Sequence, residues 1–155
     1  MAHALTRKDA VRLSRILQEL LDRSEATGCV TCDHSGYVLA QQGVSRDDTQ
    51  LISALGAGVF SASRELARLL GEDTFSSVFH QGEHKSIYIC AVNTDVLLVV
   101  IFSNEGSVGL VKLYAGPAAE SMRKVFDDVR EREKEILIPE HTFVLNESSD
   151  VFAKE

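Results

Sequence analysis

Residues 26–40 read ATGCVTCDHSGYVLA, and this stretch decides the first part of the fold. CVTCD (29–33) and YVLAQQ (37–42) are short runs of residue types that favour strands. Between them, DHSG supplies Asp and Ser for a tight turn and a glycine that can take a positive φ. The stretch therefore predicts a β-hairpin.

The same stretch contains a C-x-x-C pair, Cys29 and Cys32, which could belong to a redox dithiol or to half of a zinc site. In a strand, however, residues three apart point to opposite faces, so these two thiols cannot converge on a metal. Thioredoxin-type pairs lie at a helix N-terminus instead, there is no second C-x-x-C, and Cys90 is alone in another run. We interpret the cysteines as core residues and expect neither metal nor cofactor.

An amphipathic helix is predicted before the hairpin. Thr6 and Asp9 resemble a capping box, and apolar residues then recur at helical spacing until Gly28. After residue 73, TFSSVFHQ (74–81), SIYICAV (86–92) and VLLVVIF (96–102) predict three strands joined by short turns. In the first of them, Phe75 and Phe79 are expected to share a face. The last is apolar throughout, which is typical of a central strand covered on both faces.

A long helix is predicted between Asp47 and Gly71. We interpret one apolar stripe at helical spacing as its core face: Leu51, Leu55, Val59, Ala62, Leu66 and Leu69. Beside it runs a shoulder of small residues, Ala54, Ala57, Gly58 and Ser61, while Phe60 lies outside the stripe. The shoulder favours close approach of a second backbone, although small residues are also simply good helix formers.

A last helix is predicted from about Ser107, and Gly116-Pro117 interrupts it. Because proline removes a helical hydrogen bond, we expect either a kink or a short helix that ends at Ala115. Periodicity is lost after residue 135, so the prediction is a domain over 5–135 and an acidic, flexible C-terminal tail over 136–155.

Composition excludes several functional classes. The chain has 155 residues and a formal net charge of −7, which disfavours nucleic acid as a partner. No apolar run is long enough for a membrane span, so we expect a cytoplasmic protein that does not bind membranes. Phosphate-binding loops of the GxxxxGK[ST] type, G-x-S-x-G and H-E-x-x-H are all absent. Nothing in the sequence resembles an enzyme active site.

The sequence does resemble the Roadblock/dynein-light-chain domain family, and it is similar to the bacterial MglB-type members. The likeness covers roughly residues 5–130, and its more specific motifs are LARLLGE (66–72), FHQGE (79–83) and GLVKLY (109–114). It implies an α+β fold of order α-β-β-α-β-β-β-α. A five-stranded antiparallel sheet would then lie between the second helix and the other two. Gly116-Pro117 departs from the pattern of the family, which more often has a basic, helix-favouring pair there.

The resemblance also implies a homodimer in which second helices pack side by side and the sheets join through the third strand. Its implied partner is a small Ras-like GTPase of the MglA type, whose GTP hydrolysis the dimer stimulates without an arginine finger. A role in cell polarity or motility and a position at a cell pole would follow. A dimeric scaffold or adaptor that recruits a GTPase without activating it is the alternative.

Site residues are assigned on that basis. The predicted GTPase-binding residues are Ser61, Arg64, Glu65 and Arg68. The predicted dimer contacts are Ala54, Ala57, Gly58, Phe75, Val78, Phe79 and His80. No catalytic, cofactor-binding or metal-binding residue is predicted.

Overall fold

The computed structural model describes the backbone of residues 4–154 and the side chains of residues 4–136. In this part of the chain the elements follow the predicted order, α-β-β-α-β-β-β-α. They are α1 (Arg7–Ser24), β1 (Gly28–Asp33), β2 (Val38–Gln42), α2 (Arg46–Leu69), β3 (Ser77–Gln81), β4 (Lys85–Ala91), β5 (Val96–Ser103) and α3 (Val108–Lys154).

The five strands form one antiparallel sheet in the order β2-β1-β5-β4-β3. The central position of β5 confirms the prediction made from its apolar sequence, because alternate residues face two separate cores. Leu98 and Val100 pack with α1 and α3, whereas Leu97 and Val99 pack with α2. The sheet therefore lies between α2 on one side and α1 and α3 on the other.

The cysteines of β1 divide between these two cores, as predicted. Cys29 belongs to the α1–α3 side and its Sγ lies 3.7 Å from the Leu17 carbonyl oxygen. Cys32 belongs to the α2 side and its Sγ lies 4.0 Å from the Ser53 carbonyl oxygen. Burial raises the pKa of the Cys29 thiol to about 12 and that of Cys32 to about 11. Both thiols are thus protonated, apolar core groups at neutral pH.

The hairpin turn between β1 and β2 is organised by Asp33. Its carboxylate accepts hydrogen bonds from the backbone N–H groups of Ser35 and Tyr37, at 3.0 and 2.9 Å. Gly36 has a φ of 89°, and a Cβ added there would lie 2.7 Å from the Ala54 Cα. Glycine is required both by the left-handed conformation and by this close approach, which seats the hairpin against α2.

The start of α1 confirms the predicted capping box and links it to α3. The Thr6 side chain accepts from the Asp9 N–H, and the Asp9 carboxylate accepts from the Thr6 N–H. Asp9 is 2% exposed, and its carboxylate also lies 2.6 Å from the Arg132 guanidinium. Burial alone raises the pKa of Asp9, but the bonds from Arg132 and Thr6 outweigh it and lower the pKa below its ordinary value.

Two details of the strands and of the last helix differ from the predictions. Phe75 precedes β3 and packs against Phe60 on the α2 side, with the rings tilted by 42° and 5.1 Å between their centroids. Phe79 lies against Phe102 on the other side. The two therefore do not share a face, because the strand begins only at Ser77 and its alternation does not extend back to residue 75.

A short helix ending at Ala115 is also wrong, since α3 continues through Gly116-Pro117. Pro117 and Leu113 are both exposed, so water can bond the Leu113 carbonyl that loses its helical donor. The helix includes residues 136–154 as well. The side chains of 137–155 lie outside the described residues, and the domain boundary near 135 and the flexibility of the tail stay predictions.

Candidate functional site: the outward face of the second helix

The principal correction to the sequence analysis concerns which face of α2 packs on the sheet. The residues that pack inward are mostly small or hydroxyl-bearing: Thr49, Ser53, Gly56, Ala57, Phe60 and Ala67. A Cβ added at Gly56 would lie 3.2 Å from a methyl group of Val99, so the helix axis approaches the sheet closely. Small side chains permit that approach, and Phe60 fills the wider space further along the helix.

The predicted core stripe is therefore wrong, because it points outward. We call this surface the leucine face and define it as Leu51, Leu55, Val59, Ala62, Leu66 and Leu69. Leu55 is 62% exposed and Leu69 is 85% exposed, although both are large apolar residues. Scattered exposed leucines are ordinary in soluble proteins, but a continuous row of them on one helix marks an interaction surface.

The leucine face continues towards the edge of the sheet. Leu55 and Val59 line a groove of about 150 Å³ with Ile87 and Ile89 of β4 and His80 of β3. β3 ends the sheet, so it has a neighbouring strand on one side only. An exposed apolar helix face and an open strand edge thus lie side by side on the α2 side of the molecule.

The small-residue shoulder divides into four different environments. Ala54 contacts the hairpin turn at Gly36, and Ala57 is 3% exposed within the core beneath α2. Ser61 is partly buried. A Cβ at Gly58 would meet nothing within 4 Å. Ala57 is consequently not available at a surface, and at Gly58 no neighbouring group among the described residues requires glycine.

The predicted GTPase-binding residues also separate in the structure. Ser61, Glu65 and Arg68 follow Ala54 at helical spacing and form a strip that we call the polar edge. In it, Arg68 and Glu65 make an exposed ion pair at 2.9 Å. Arg64 instead turns towards the sheet, with its guanidinium 6.0 Å from the centre of the Phe60 ring.

Within the residues whose side chains are described, no three His, Cys, Asp or Glu side chains are grouped so that they could hold a metal ion. No helix in the described part of the chain is long and apolar enough to cross a membrane. The surface chemistry of α2, an apolar row beside a short polar strip, is suited to binding proteins.

Comparison with known proteins agrees with the fold. The sequence model of the Roadblock/LC7 domain family matches residues 4–102 of this chain. The chain belongs to the Roadblock/LC7 family. This Roadblock/LC7 chain is also 24% identical over 140 residues to an uncharacterised protein of Aquifex aeolicus, and the match spans 88% of the chain and 86% of that protein.

Solved structures of MglB proteins are similar to this Roadblock/LC7 chain. Gliding protein MglB from Thermus thermophilus is 28% identical, with a TM-score of 0.76, over 82% of this chain and 97% of that one. Myxococcus xanthus MglB is 30% identical, with a TM-score of 0.74, over 81% and 96%. An MglB described with a tetrameric arrangement is 28% identical, with a TM-score of 0.77, over 83% and 97%.

The outward direction of the leucine face was missed because the more apolar side of a helix is normally the buried side. A signal was nevertheless present in the sequence. Thr49, Ser53, Gly56 and Phe60 recur at the same helical spacing as the leucines on the opposite side of α2. α2 therefore has one face that packs on the sheet of this chain and one apolar face that this sheet leaves uncovered.

Proposed function

We propose that this chain forms a homodimer through the leucine face and the β3 edge, and that the dimer binds a small Ras-like GTPase of the MglA type and stimulates its GTP hydrolysis. The observation that carries the proposal is the leucine face. Its large members are 40–85% exposed in the single chain. Similarity to MglB structures at 28–30% identity supports the choice of partner.

A second copy fits the leucine face best because the surface can pair with itself. In a two-fold dimer the same patch on each copy meets its counterpart, and every buried leucine therefore counts twice. The open space at Gly58 would let the two helices approach closely. The neighbouring β3 edge would pair with the same strand of the partner, which removes an edge that otherwise favours aggregation.

The GTPase contact is proposed for the polar edge. Because this strip adjoins the leucine face on α2, pairing of the two helices would leave the polar edges of both copies exposed beside the seam. Ser61, Glu65 and Arg68 are the proposed contact residues. A dimer that binds the hydrolysis-competent form of the GTPase more tightly than the resting form would increase the population of that form.

An arginine finger is not part of the proposal. Arg68 is already paired with Glu65, and Arg64 lies against Phe60 rather than on the polar edge. Replacing Arg64 and Arg68 with alanine should therefore leave much of the stimulation. A collapse of turnover when a single arginine is replaced would support a finger instead.

The test is GTP turnover of a purified MglA-type GTPase with and without this protein, after co-purification in both nucleotide states. Ser61→Arg should abolish stimulation while leaving the dimer intact, because it adds a long charged side chain to the polar edge. Ser121→Arg is the matched control, since Ser121 is an exposed helical serine on α3. Stimulation that persists in Ser61→Arg would refute the surface assignment. Binding without any stimulation by the wild-type dimer would favour a scaffold.

A further inference from the structure

A second feature of the molecule lies on the other side of Phe60 and belongs to neither the leucine face nor the polar edge. An open cleft of about 530 Å³ lies between α2, α3 and the turn that joins β4 to β5. Its walls include His34, Phe60, Arg64, Phe75, Arg123 and Arg130. Three arginines from two helices thus meet around one cleft in a chain whose formal net charge is −7.

Of the three arginines in the cleft wall, Arg64 is the one without a counter-charge among the described side chains. Among the residues whose side chains are described, it makes no ion pair or hydrogen bond, and its contact is with the ring of Phe60. Its Nε is buried without a partner, and so is Nδ1 of His34 in the same cleft wall. Buried polar groups are nearly always bonded, so the unpartnered Nε–H of Arg64 indicates a missing acceptor. Nδ1 of His34 lacks a donor instead, because Nε2 of the same ring donates to the Thr94 carbonyl oxygen.

The two arginines of α3 are held in different ways. Arg123 is fixed, because its Nε donates to the Val92 carbonyl at 2.8 Å and its guanidinium contacts Glu120 at 2.6 Å. Arg130 is held loosely, since its nearest carboxylate oxygen, on Asp95, is 3.7 Å away. An exposed pair of that length contributes little and is readily exchanged for a stronger acceptor. The three guanidinium groups are therefore paired with only two carboxylates, those of Glu120 and Asp95, so these groups together carry one excess positive charge.

The floor of the cleft is aromatic. The rings of Phe60 and Phe75 lie 5.1 Å apart, and Phe75 is only partly buried. Guanidinium groups bind phosphate through paired N–H donors, and ligand sites commonly combine an apolar wall with a few convergent polar groups. We propose that this cleft binds a phosphate-bearing small molecule, with its phosphate between Arg64 and the arginines of α3 and its apolar or aromatic part against Phe75.

This inference goes beyond the proposed function and is tested on the isolated protein without any GTPase. Calorimetric titrations would use AMP, inorganic phosphate and acetate at one ionic strength. AMP should bind more tightly than phosphate because it also contacts Phe75, and acetate should bind weakest because it carries a single charge. Binding should weaken as salt is raised, since the contacts are between charges.

The informative variants are Arg64→Gln and Arg130→Gln, with Arg68→Gln as the matched control. Each of the first two should weaken AMP binding by about tenfold or more, as expected when a charge-assisted hydrogen bond is lost. Arg68→Gln should have no effect, because Arg68 is on the same helix but is paired with Glu65 outside the cleft. Thermal melting of each variant would verify that it folds.

Three results would overturn the inference. Absence of AMP binding by the folded wild-type protein would show that the cleft is not a phosphate-binding site. If Arg68→Gln weakened AMP binding as much as the cleft variants do, the binding would be a general attraction to surface charge and not specific to the cleft. Equal affinity for AMP and inorganic phosphate would refute the role assigned to Phe75.

Discussion

Replacing Leu55 with alanine should dissociate the proposed dimer without unfolding the chain. Leu55 is 62% exposed, so most of its side chain contributes nothing to the fold of a single copy. Alanine also has the higher helix propensity, and the free energy of unfolding of the monomer should therefore change by no more than about 0.5 kcal/mol.

The loss of dimerisation free energy can be calculated from the exposed fraction of Leu55. Leu→Ala removes about three methylene-sized groups, worth about 2.4 kcal/mol if they were wholly buried. Since 62% of Leu55 remains for a partner to cover, the loss is about 1.5 kcal/mol per copy. A two-fold interface contains the residue twice, so Kd should rise by about a hundredfold.

Sedimentation velocity over a range of protein concentrations would measure this change. Leu113→Ala is a close control, because Leu113 is also a helical leucine that is 62% exposed, but it lies on α3. Leu113→Ala should leave the dimer unchanged. The reasoning would be refuted if Leu55→Ala dimerised as tightly as the wild type, or if Leu113→Ala weakened the dimer equally.

Three further predictions concern the fold itself. Because the pKa of Asp9 is lowered on folding, its carboxylate adds stability that is present above the ordinary value of 3.8 and is lost as pH falls through the lowered one. Asp9→Asn should therefore flatten the acid dependence of urea unfolding, and a slope as steep as that of the wild type would contradict the pairing with Arg132. The three cysteines, all buried with raised pKa values, should resist a thiol reagent until urea unfolds the protein, and rapid labelling of the native state would contradict their core positions. Gly36→Ala should lower the unfolding free energy by about 1–3 kcal/mol because of the positive φ and the contact with Ala54. Gly116→Ala, in open space on α3, should not destabilise the protein, and an unchanged melting temperature for Gly36→Ala would count against the packing described.

Local features of the fold were predictable because each depends on neighbours in the sequence. The capping box at Thr6 and Asp9 requires only that residues three apart meet at a helix start. The hairpin required Asp33 and Gly36 at fixed offsets, and the separation of Cys29 from Cys32 required only the two-residue period of a strand. The end of α2 at Leu69, followed by Gly71 with a φ of 83°, is determined in the same way.

The candidate site was only partly predictable. The sequence predicts a site on α2 that includes the residues of the polar edge, and these roles stay predictions. It assigns the leucine face to the core, however, and groups Arg64 with Ser61, Glu65 and Arg68. The first assignment is wrong and the second stays a prediction, although Arg64 lies apart from the polar edge. Both concern the rotation of one helix about its axis, which periodicity leaves open when two of its faces could be buried.

The sequence alone determined the order of the elements, their caps and turns, and the central position of β5, since these follow from spacing and residue type along a short stretch. The tertiary structure alone decided which side of α2 meets the sheet, because that depends on the distance at which Gly56 can approach Val99. It likewise brought Arg64 to Arg123 and Arg130, which are about 60 residues away along the chain and meet only where α2 and α3 border the same turn. Contacts of this kind depend on how distant elements pack, and no local pattern contains them.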